Sequence, residues 1–418
     1  MKEFVYVSIT LFIIWGIFYF ANRKNISSGK IYFCMLLCML LPPSLGEEAL
    51  VNSWYHEVDL INIFVFAICL CVGFIPWLVF DKRTKNKIFE IKDSAIPPLK
   101  ISFTILIIWS LFSIIYLMPS AITSLAMGAS ETRAILYSGK GQVLPQSPFT
   151  TLAVAGASCY IYAILFFYIA CLSPKLKRYR VWLIISSLSY IVNCLAFTAR
   201  DGLIFIPLIY LVFYLVFKRS LHIKIMLNIK KRIKLIVILA VSFLVVFSLS
   251  RFAGSGKKTD WESVYSGTFG YITQQPYVFD ATIKGQDDFW GFEVRFPLIN
   301  RILGIEEHEV NRKDNSFEWS FGTMYAEHYS AFGWSSLILI TLITVLFFSF
   351  GISYLFKRKK YFGAILIFNV YCYLSISGMF YTRAGANVNL NIFYLLLSLI
   401  PFFAPRYISC KNTKSIIR

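Results

Sequence analysis

Long apolar runs alternate with short polar connections along the chain. Most of the runs approach the ~20 residues that an α-helix needs to cross the hydrocarbon core of a bilayer. The pattern predicts eleven membrane-spanning helices, at residues 4–20, 31–45, 60–80, 101–118, 150–172, 181–198, 203–217, 235–249, 333–353, 361–380 and 390–405. The predicted fold class is therefore an all-α polytopic integral membrane protein, in which residues 1–418 form a single membrane domain.

Charge is distributed unevenly between alternate connections. One set holds 28 of the 41 Lys and Arg residues but 3 of the 22 Asp and Glu residues, a charge of +25; the other set holds 13 basic and 19 acidic residues, a charge of −6. Basic connections face the cytoplasm, so the N-terminus is predicted outside and the C-terminus inside. The net charge of +19 then reports topology and does not indicate nucleic-acid binding.

Composition supports a membrane protein, because 57% of the residues are hydrophobic and mean hydropathy is +0.65. Residues 1–20 lack a basic n-region and a small-residue cleavage site, so we interpret them as a retained first span. All nine cysteines fall in predicted spans or the C-terminal tail, which leaves the outer connections without a disulfide framework. The sequence contains no metal-binding or nucleotide-binding motif, and neither a metal nor a cofactor is expected.

Residues 250–332 form one large outer loop between the eighth and ninth predicted spans. Loops of this length are usually functional. This loop interleaves basic residues with Trp, Tyr and Phe, a mixture that suits an anionic, sugar-bearing substrate because guanidinium groups grip phosphate and aromatic rings stack on sugars. The alternative is an interfacial belt of aromatic residues with solvated charges. The candidate binding residues in or beside this loop are Arg251, Arg295, Arg301 and Tyr325.

A second candidate site is the outer turn that contains Arg200 and Asp201. Only 37 residues separate Arg180 from Lys218 and must cross the membrane twice, whereas two full spans need about 40. The turn is therefore predicted at the outer hydrocarbon boundary, where an ionisable pair is costly and indicates function. The alternative is an internal pairing that only shapes the turn.

Glu327 and His328 are predicted at the mouth of the ninth span. Either side chain could accept a proton from a hydroxyl group if its pKa lies near neutrality. The last outer turn supplies one more arginine, Arg383, whose alternative role is an interfacial anchor.

The arrangement resembles the O-antigen polymerase (Wzy) family of bacterial oligosaccharide repeat-unit polymerases. The resemblance covers the number of spans, the short Arg200 turn, the large outer loop and the stretch from Tyr325 to Gly333 at a span entrance. An Arg-x10-Gly signature described for some members is absent; Arg312, with Gly322 ten residues on, comes nearest.

The resemblance implies a glycosyltransferase of the bacterial cytoplasmic (inner) membrane. Its substrate would be an undecaprenyl-pyrophosphate-linked oligosaccharide, and a chain-length regulator and a flippase would be pathway partners. Arg200, Arg251 and Arg383 would bind the pyrophosphate, and Arg295 and Arg301 phosphate or an anionic sugar. Glu327 or His328 would be the base, and Asp201 would be the next candidate for that role. Related O-antigen ligases share the layout, and their use of an outer histidine favours His328.

Three alternatives stay open on sequence grounds. An O-antigen ligase would differ only in its acceptor. A lipid-linked oligosaccharide flippase or other transporter would place charges within spans around a midplane cavity, whereas the predicted spans are almost free of charge. A non-catalytic assembly partner for other polysaccharide proteins is the third.

Overall fold

The computed structural model describes residues 27–40, 59–127, 147–199, 201–233, 275–285, 323–379 and 406–412, together with residues 16, 132, 135, 235, 238, 242 and 289. The described chain is predominantly helical. Its early helices are α1 Ser28–Leu40, α2 Leu60–Gly73, α3 Ile75–Thr84, α4 Ile96–Met127, α5 Pro148–Ser158 and α6 Tyr160–Cys171. Its later helices are α7 Tyr179–Ser187, α8 Ser189–Ala196, α9 Asp201–Phe217, α10 Gln275–Gly285, α11 Thr323–Phe332, α12 Trp334–Lys357 and α13 Tyr361–Ser377.

Four helical stretches of the described chain are long and apolar enough to cross a membrane: Ile61–Thr84, Asp93–Met127, Tyr179–Ala196 and Trp334–Lys357. A fifth is possible if α5 and α6, which are bent by 42° relative to each other, form one span. The described part of the chain is thus a helical membrane protein, as the apolar runs predict. The predicted spans at 203–217 and 361–380 correspond to the shorter apolar helices α9 and α13.

The other predicted spans are covered only in part. The run at 31–45 is described as far as residue 40, within α1. Those at 4–20, 235–249 and 390–405 lie outside the described residues, apart from single positions. Of the predicted outer loop at 250–332, α10, Phe289 and α11 are described.

The chain divides into two compact units. The first contains α1, α2, α3 as far as Arg83, α10 to α12 and most of α13. In its core the Tyr32 ring stacks on Trp77 with ring centroids 4.7 Å apart. The Trp77 indole donates a hydrogen bond to the Ser375 hydroxyl at 3.1 Å. These contacts join α1, α3 and α13 through rings that are buried and polar atoms that are paired.

The second unit contains α4 to α9 and a small β-sheet. One face of α4 exposes isoleucines, including Ile101, Ile108 and Ile115, each more than 60% exposed. Such a face would be unfavourable in water but suits contact with lipid tails. The opposite face of α4 packs against α5, α7 and α8.

The sheet lies in connections that the charge pattern assigns to the basic side. Strand β1, Lys87–Ile91, pairs antiparallel with β2, Ile408–Asn412. The Phe89 amide donates to the Ser220 hydroxyl at 2.8 Å, and the Phe89 ring lies 5.8 Å from that of Phe217. The second unit therefore brings together three connections that the sequence assigns to one side of the membrane. The all-α prediction missed this sheet.

The three carboxylates assigned to the basic side all have partners. Asp81, in the first unit, accepts hydrogen bonds from the Ser28 hydroxyl at 2.6 Å and the Gly29 amide at 3.0 Å, and so caps the start of α1. In the second unit Glu90 pairs with Lys411 at 2.9 Å and Asp93 with Lys175 at 2.8 Å. Each of these three acids therefore links its connection to another part of the same unit.

Candidate functional site

Helix α11 carries both residues predicted as the catalytic base. It begins at Thr323, whose φ is +66°, and the Met324 amide donates to the Gly378 carbonyl at 2.6 Å. It ends at Gly333, whose φ of +74° favours glycine. The Ser336 hydroxyl accepts from the Phe332 amide and so satisfies a backbone donor at this break. The sequence thus folds this stretch as a separate short helix before α12 starts.

Every residue from Thr323 to Ala331 is buried. Glu327 is 3% exposed and His328 is 6% exposed. Both residues are predicted at the mouth of the ninth span. The structure buries both because α11 packs against α10 and α12 within the first unit. Both groups are thereby surrounded by protein.

The His328 ring is oriented by a threonine of α12. Its Nδ1 lies 3.0 Å from the Thr341 hydroxyl oxygen, and both side chains are buried. The edge of the ring faces Tyr325, with centroids 6.0 Å apart. If Nδ1 carries the hydrogen and donates to Thr341, Nε2 holds the lone pair and is the atom that accepts a proton. The threonine hydroxyl can pair with either tautomer, so the contact fixes the orientation of the ring rather than the position of its hydrogen.

Tyr325 has a packing role in this structure. It is 1% exposed, its ring lies edge-on to Phe66, and a Cβ at Gly73 would collide with its hydroxyl. Among the residues that the structure describes, that hydroxyl has no hydrogen-bond partner. Burial raises the pKa of Tyr325 well above its ordinary value, so the phenol stays protonated. The role of Tyr325 in binding substrate stays a prediction, and no ring face is exposed for stacking on a sugar.

A buried carboxylate that the sequence analysis did not single out lies on α10. Asp280 accepts hydrogen bonds from the Asn62 side-chain amide at 2.7 Å and from the Asp59 backbone amide at 3.1 Å. It also pairs with Lys284, one helical turn on, at 3.1 Å. Because α10 packs against both α2 and α11, this cluster links α10, which lies in the predicted outer loop, to the start of a candidate span.

In the second unit, Asp201 is buried at the first turn of α9. Its carboxylate accepts a hydrogen bond from the Tyr190 hydroxyl and one from the Cys194 thiol at 3.2 Å. The close approach requires Gly202, because a Cβ there would lie 2.8 Å from the Cys194 sulfur. Asp201 is thus held by α8, the partner helix of the turn. The alternative interpretation of this turn is an internal pairing that only shapes it. The hydrogen bonds from Tyr190 and Cys194 to Asp201 are an internal pairing of this kind.

The predicted arginines lie outside the described residues: Arg200, Arg251, Arg295, Arg301 and Arg383. Their roles stay predictions. Within the described part of the chain, no group of three or more His, Cys, Asp and Glu residues is arranged to hold a metal ion.

Sequence reasoning missed Asn62, Asp280, Thr341 and Tyr190 as parts of these clusters. Asn62 is a single polar residue near the start of an apolar stretch, which is a usable signal, whereas Asp280 lies among other polar residues of the predicted outer loop. The two residues are 218 positions apart in sequence, and their pairing has no local signature.

Comparison of the chain with protein-family models, curated proteins and solved structures finds no match.

Proposed function

We propose that this membrane protein polymerises undecaprenyl-pyrophosphate-linked oligosaccharide repeat units on the outer face of the cytoplasmic membrane. The proposal includes eleven spans, an outer N-terminus, a cytoplasmic C-terminus and a functional outer loop at 250–332. The observation that carries it is the burial of Glu327 and His328 on a short helix directly before a span. Ionisable groups in an apolar interior are costly and usually functional.

The proposed reaction is a glycosyl transfer. The bond between the anomeric carbon of the growing glycan and its pyrophosphate oxygen breaks. A hydroxyl of the next lipid-linked repeat forms the new bond and gives its proton to His328 or Glu327. Negative charge develops on the leaving pyrophosphate, and preplaced arginines stabilise such charge. Arg200, Arg251 and Arg383 are proposed for that role, and Arg295 and Arg301 for phosphate or anionic sugar.

The placement of charge supports an enzyme over a transporter. In the candidate spans of the described chain, ionisable side chains other than Cys and Tyr stand near the helix ends, as with Asp81, Lys100, Arg180 and Lys357. A transporter that binds a charged substrate would be expected to carry such groups near the membrane midplane.

One observation favours the transporter alternative. Helices α5 and α6 are bent by 42° at Cys159, and broken helices often form transport sites. The neighbouring region contains buried hydroxyls, including the Ser187 and Tyr210 pair at 2.9 Å. We therefore keep transport as the second candidate function, while ligation to another acceptor is a variant of the first.

Purified protein in liposomes with a defined lipid-linked repeat unit separates these functions. A ladder of longer lipid-linked glycans supports a polymerase. Transfer to an added second acceptor without a ladder indicates a ligase, and movement of a labelled repeat across the bilayer without new glycosidic bonds indicates a transporter. The matched control is protein carrying both Glu327→Gln and His328→Ala, which should insert normally and give no ladder.

A further inference from the structure

Residues 223–233 are helical and follow α9 on the predicted basic side. Ile223 and Leu227 are 56% and 55% exposed, whereas Ile229 and Ile233 are buried. One side of this helix is therefore anchored to the second unit, and another presents apolar side chains outwards.

The exposed apolar positions continue a stripe from the predicted span. Ile223, Leu227, Lys231, Leu235 and Ile238 are all helical and exposed, and their spacing of three or four residues places them on one helix face. Lys231 interrupts the stripe. At a rise of ~1.5 Å per residue, Leu227 lies about 6 Å and Ile223 about 12 Å beyond Lys231 along the helix.

The distance of Leu227 from Lys231 matches the thickness of the layer between hydrocarbon and water. The polar headgroup regions add roughly 5–8 Å on each side of the hydrocarbon core. If Lys231 marks the hydrocarbon boundary, Leu227 lies within the headgroup layer, whereas Ile223 reaches that layer only if the helix tilts. A helix that tilts into this layer would keep both in contact with lipid.

Basic residues surround the apolar stripe. Lys224, Lys230, Lys231 and Arg232 are all exposed. Residues 202–259 contain no Asp or Glu, so no neighbouring carboxylate in this stretch neutralises the charge. Each Lys or Arg close to an anionic membrane contributes about 1 kcal/mol, or roughly a five-fold increase in binding.

We propose that residues 223–233 form a binding site for anionic phospholipid headgroups of the adjoining leaflet. Leu227, and Ile223 where the helix tilts, pack among the headgroups, and Lys230, Lys231 and Arg232 bind the phosphates. Anionic lipid, rather than a soluble protein, is the occupant that matches exposed apolar and basic side chains on a helix that leads directly into the predicted span. The inference does not depend on the proposed reaction.

Native mass spectrometry of the purified full chain in detergent tests the proposal, with phosphatidylglycerol and phosphatidylcholine titrated separately. Wild-type protein should retain phosphatidylglycerol preferentially. The triple variant Lys230→Gln, Lys231→Gln, Arg232→Gln should bind phosphatidylglycerol at least about ten-fold more weakly, while its binding of phosphatidylcholine stays the same. Leu227→Ser should weaken binding of both lipids.

Two control variants distinguish a local site from general charge. Lys230→Arg with Lys231→Arg keeps the charge and should keep the preference. Lys357→Gln, Arg358→Gln, Lys359→Gln removes the same charge from three exposed residues at the end of α12 and should have a clearly smaller effect. Equal losses from the two triple variants, no preference between the lipids, or full competition by millimolar inorganic phosphate would each overturn the proposal.

Discussion

The side-chain amide of Asn62 donates a hydrogen bond to the carboxylate of Asp280 at 2.7 Å, and both residues are buried. The bond joins α2, at the start of a candidate span, to α10, which lies in the predicted outer loop. Asp280 lies on α10, which packs against α11. Helix α11 carries the proposed base. The position of Glu327 and His328 is therefore coupled to a polar contact made elsewhere in the first unit.

Asn62→Leu should lower the free energy of unfolding by about 1–3 kcal/mol, because it leaves a buried carboxylate with one donor fewer. Unfolding of the purified protein in detergent measures the change. Lys284→Met removes the half-exposed ion-pair partner of the same carboxylate and should cost less than about 1 kcal/mol. Equal losses of stability from the two variants would contradict the prediction, because the buried Asn62 amide would then contribute no more than the half-exposed Lys284.

Gly73→Ala should be strongly destabilising, by about 1–3 kcal/mol or more, because the new methyl group collides with the Tyr325 hydroxyl. Tyr325→Phe should be neutral or stabilising, since it removes a buried hydroxyl that has no hydrogen-bond partner. The double variant should recover much of the loss, as a double-mutant cycle of unfolding measurements would show. A large loss of glycan synthesis from Tyr325→Phe at unchanged stability would instead assign the hydroxyl a role in the reaction.

Replacement of the true base should slow glycan transfer by about 10²–10⁴-fold while lipid-linked substrate still binds. We expect this from His328→Ala more than from Glu327→Gln. Thr341→Val removes the hydroxyl that orients the ring and should lower the turnover number by a smaller factor with little change in KM. Rates are measured on purified protein with a defined lipid-linked repeat. Wild-type rates from both His328→Ala and Glu327→Gln would move the base elsewhere, with Asp201 as the next candidate.

Arg200→Lys should markedly reduce polymerisation, because lysine keeps the charge but loses the bidentate fork that binds phosphate. Glycan chain length at the cell surface reports the effect, with immunoblotting for normal insertion. Long glycan from Arg200→Ala at normal expression would remove this residue from the site.

Cysteine labelling in intact cells should place residues near Lys85, Lys230 and Lys359 inside and residues near Lys258 and Lys313 outside. The charge split of +25 against −6 is the physical reason. A cytoplasmic position for the 250–332 segment would exclude the proposed reaction, which takes place on the outer face.

Local hydrophobicity was enough to predict where the long helices lie. The run at 101–118 falls within α4, and the run at 333–353 matches α12 apart from its first residue, because uninterrupted apolar residues specify a span directly. Because these runs are uniformly apolar, they do not show where a helix is interrupted inside a predicted span. Nothing in the apolar pattern distinguishes Cys159 or Leu188, where α5 ends before α6 and α7 before α8.

Contacts between residues that are far apart in the sequence could not be predicted from the sequence. The five residues of β1 lie within a charged connection, and their partner strand is hundreds of residues away. The burial of Glu327 and His328 depends on α10 and α12, which pack around α11. A local pattern identified the ionisable pair but could not show that protein surrounds both members.

The pairing of β1 with β2 has a consequence for synthesis of the protein. Ile91 pairs with Ile408, 408 minus 91 or 317 positions later. At a rate of synthesis of about 5–20 residues per second, β1 is made roughly 15–60 s before its partner strand β2. During that interval its backbone hydrogen-bonding groups are unmatched on the side that β2 will occupy. Any nascent or truncated chain that stops before Ile408 therefore lacks the partner of β1 and leaves that strand edge open.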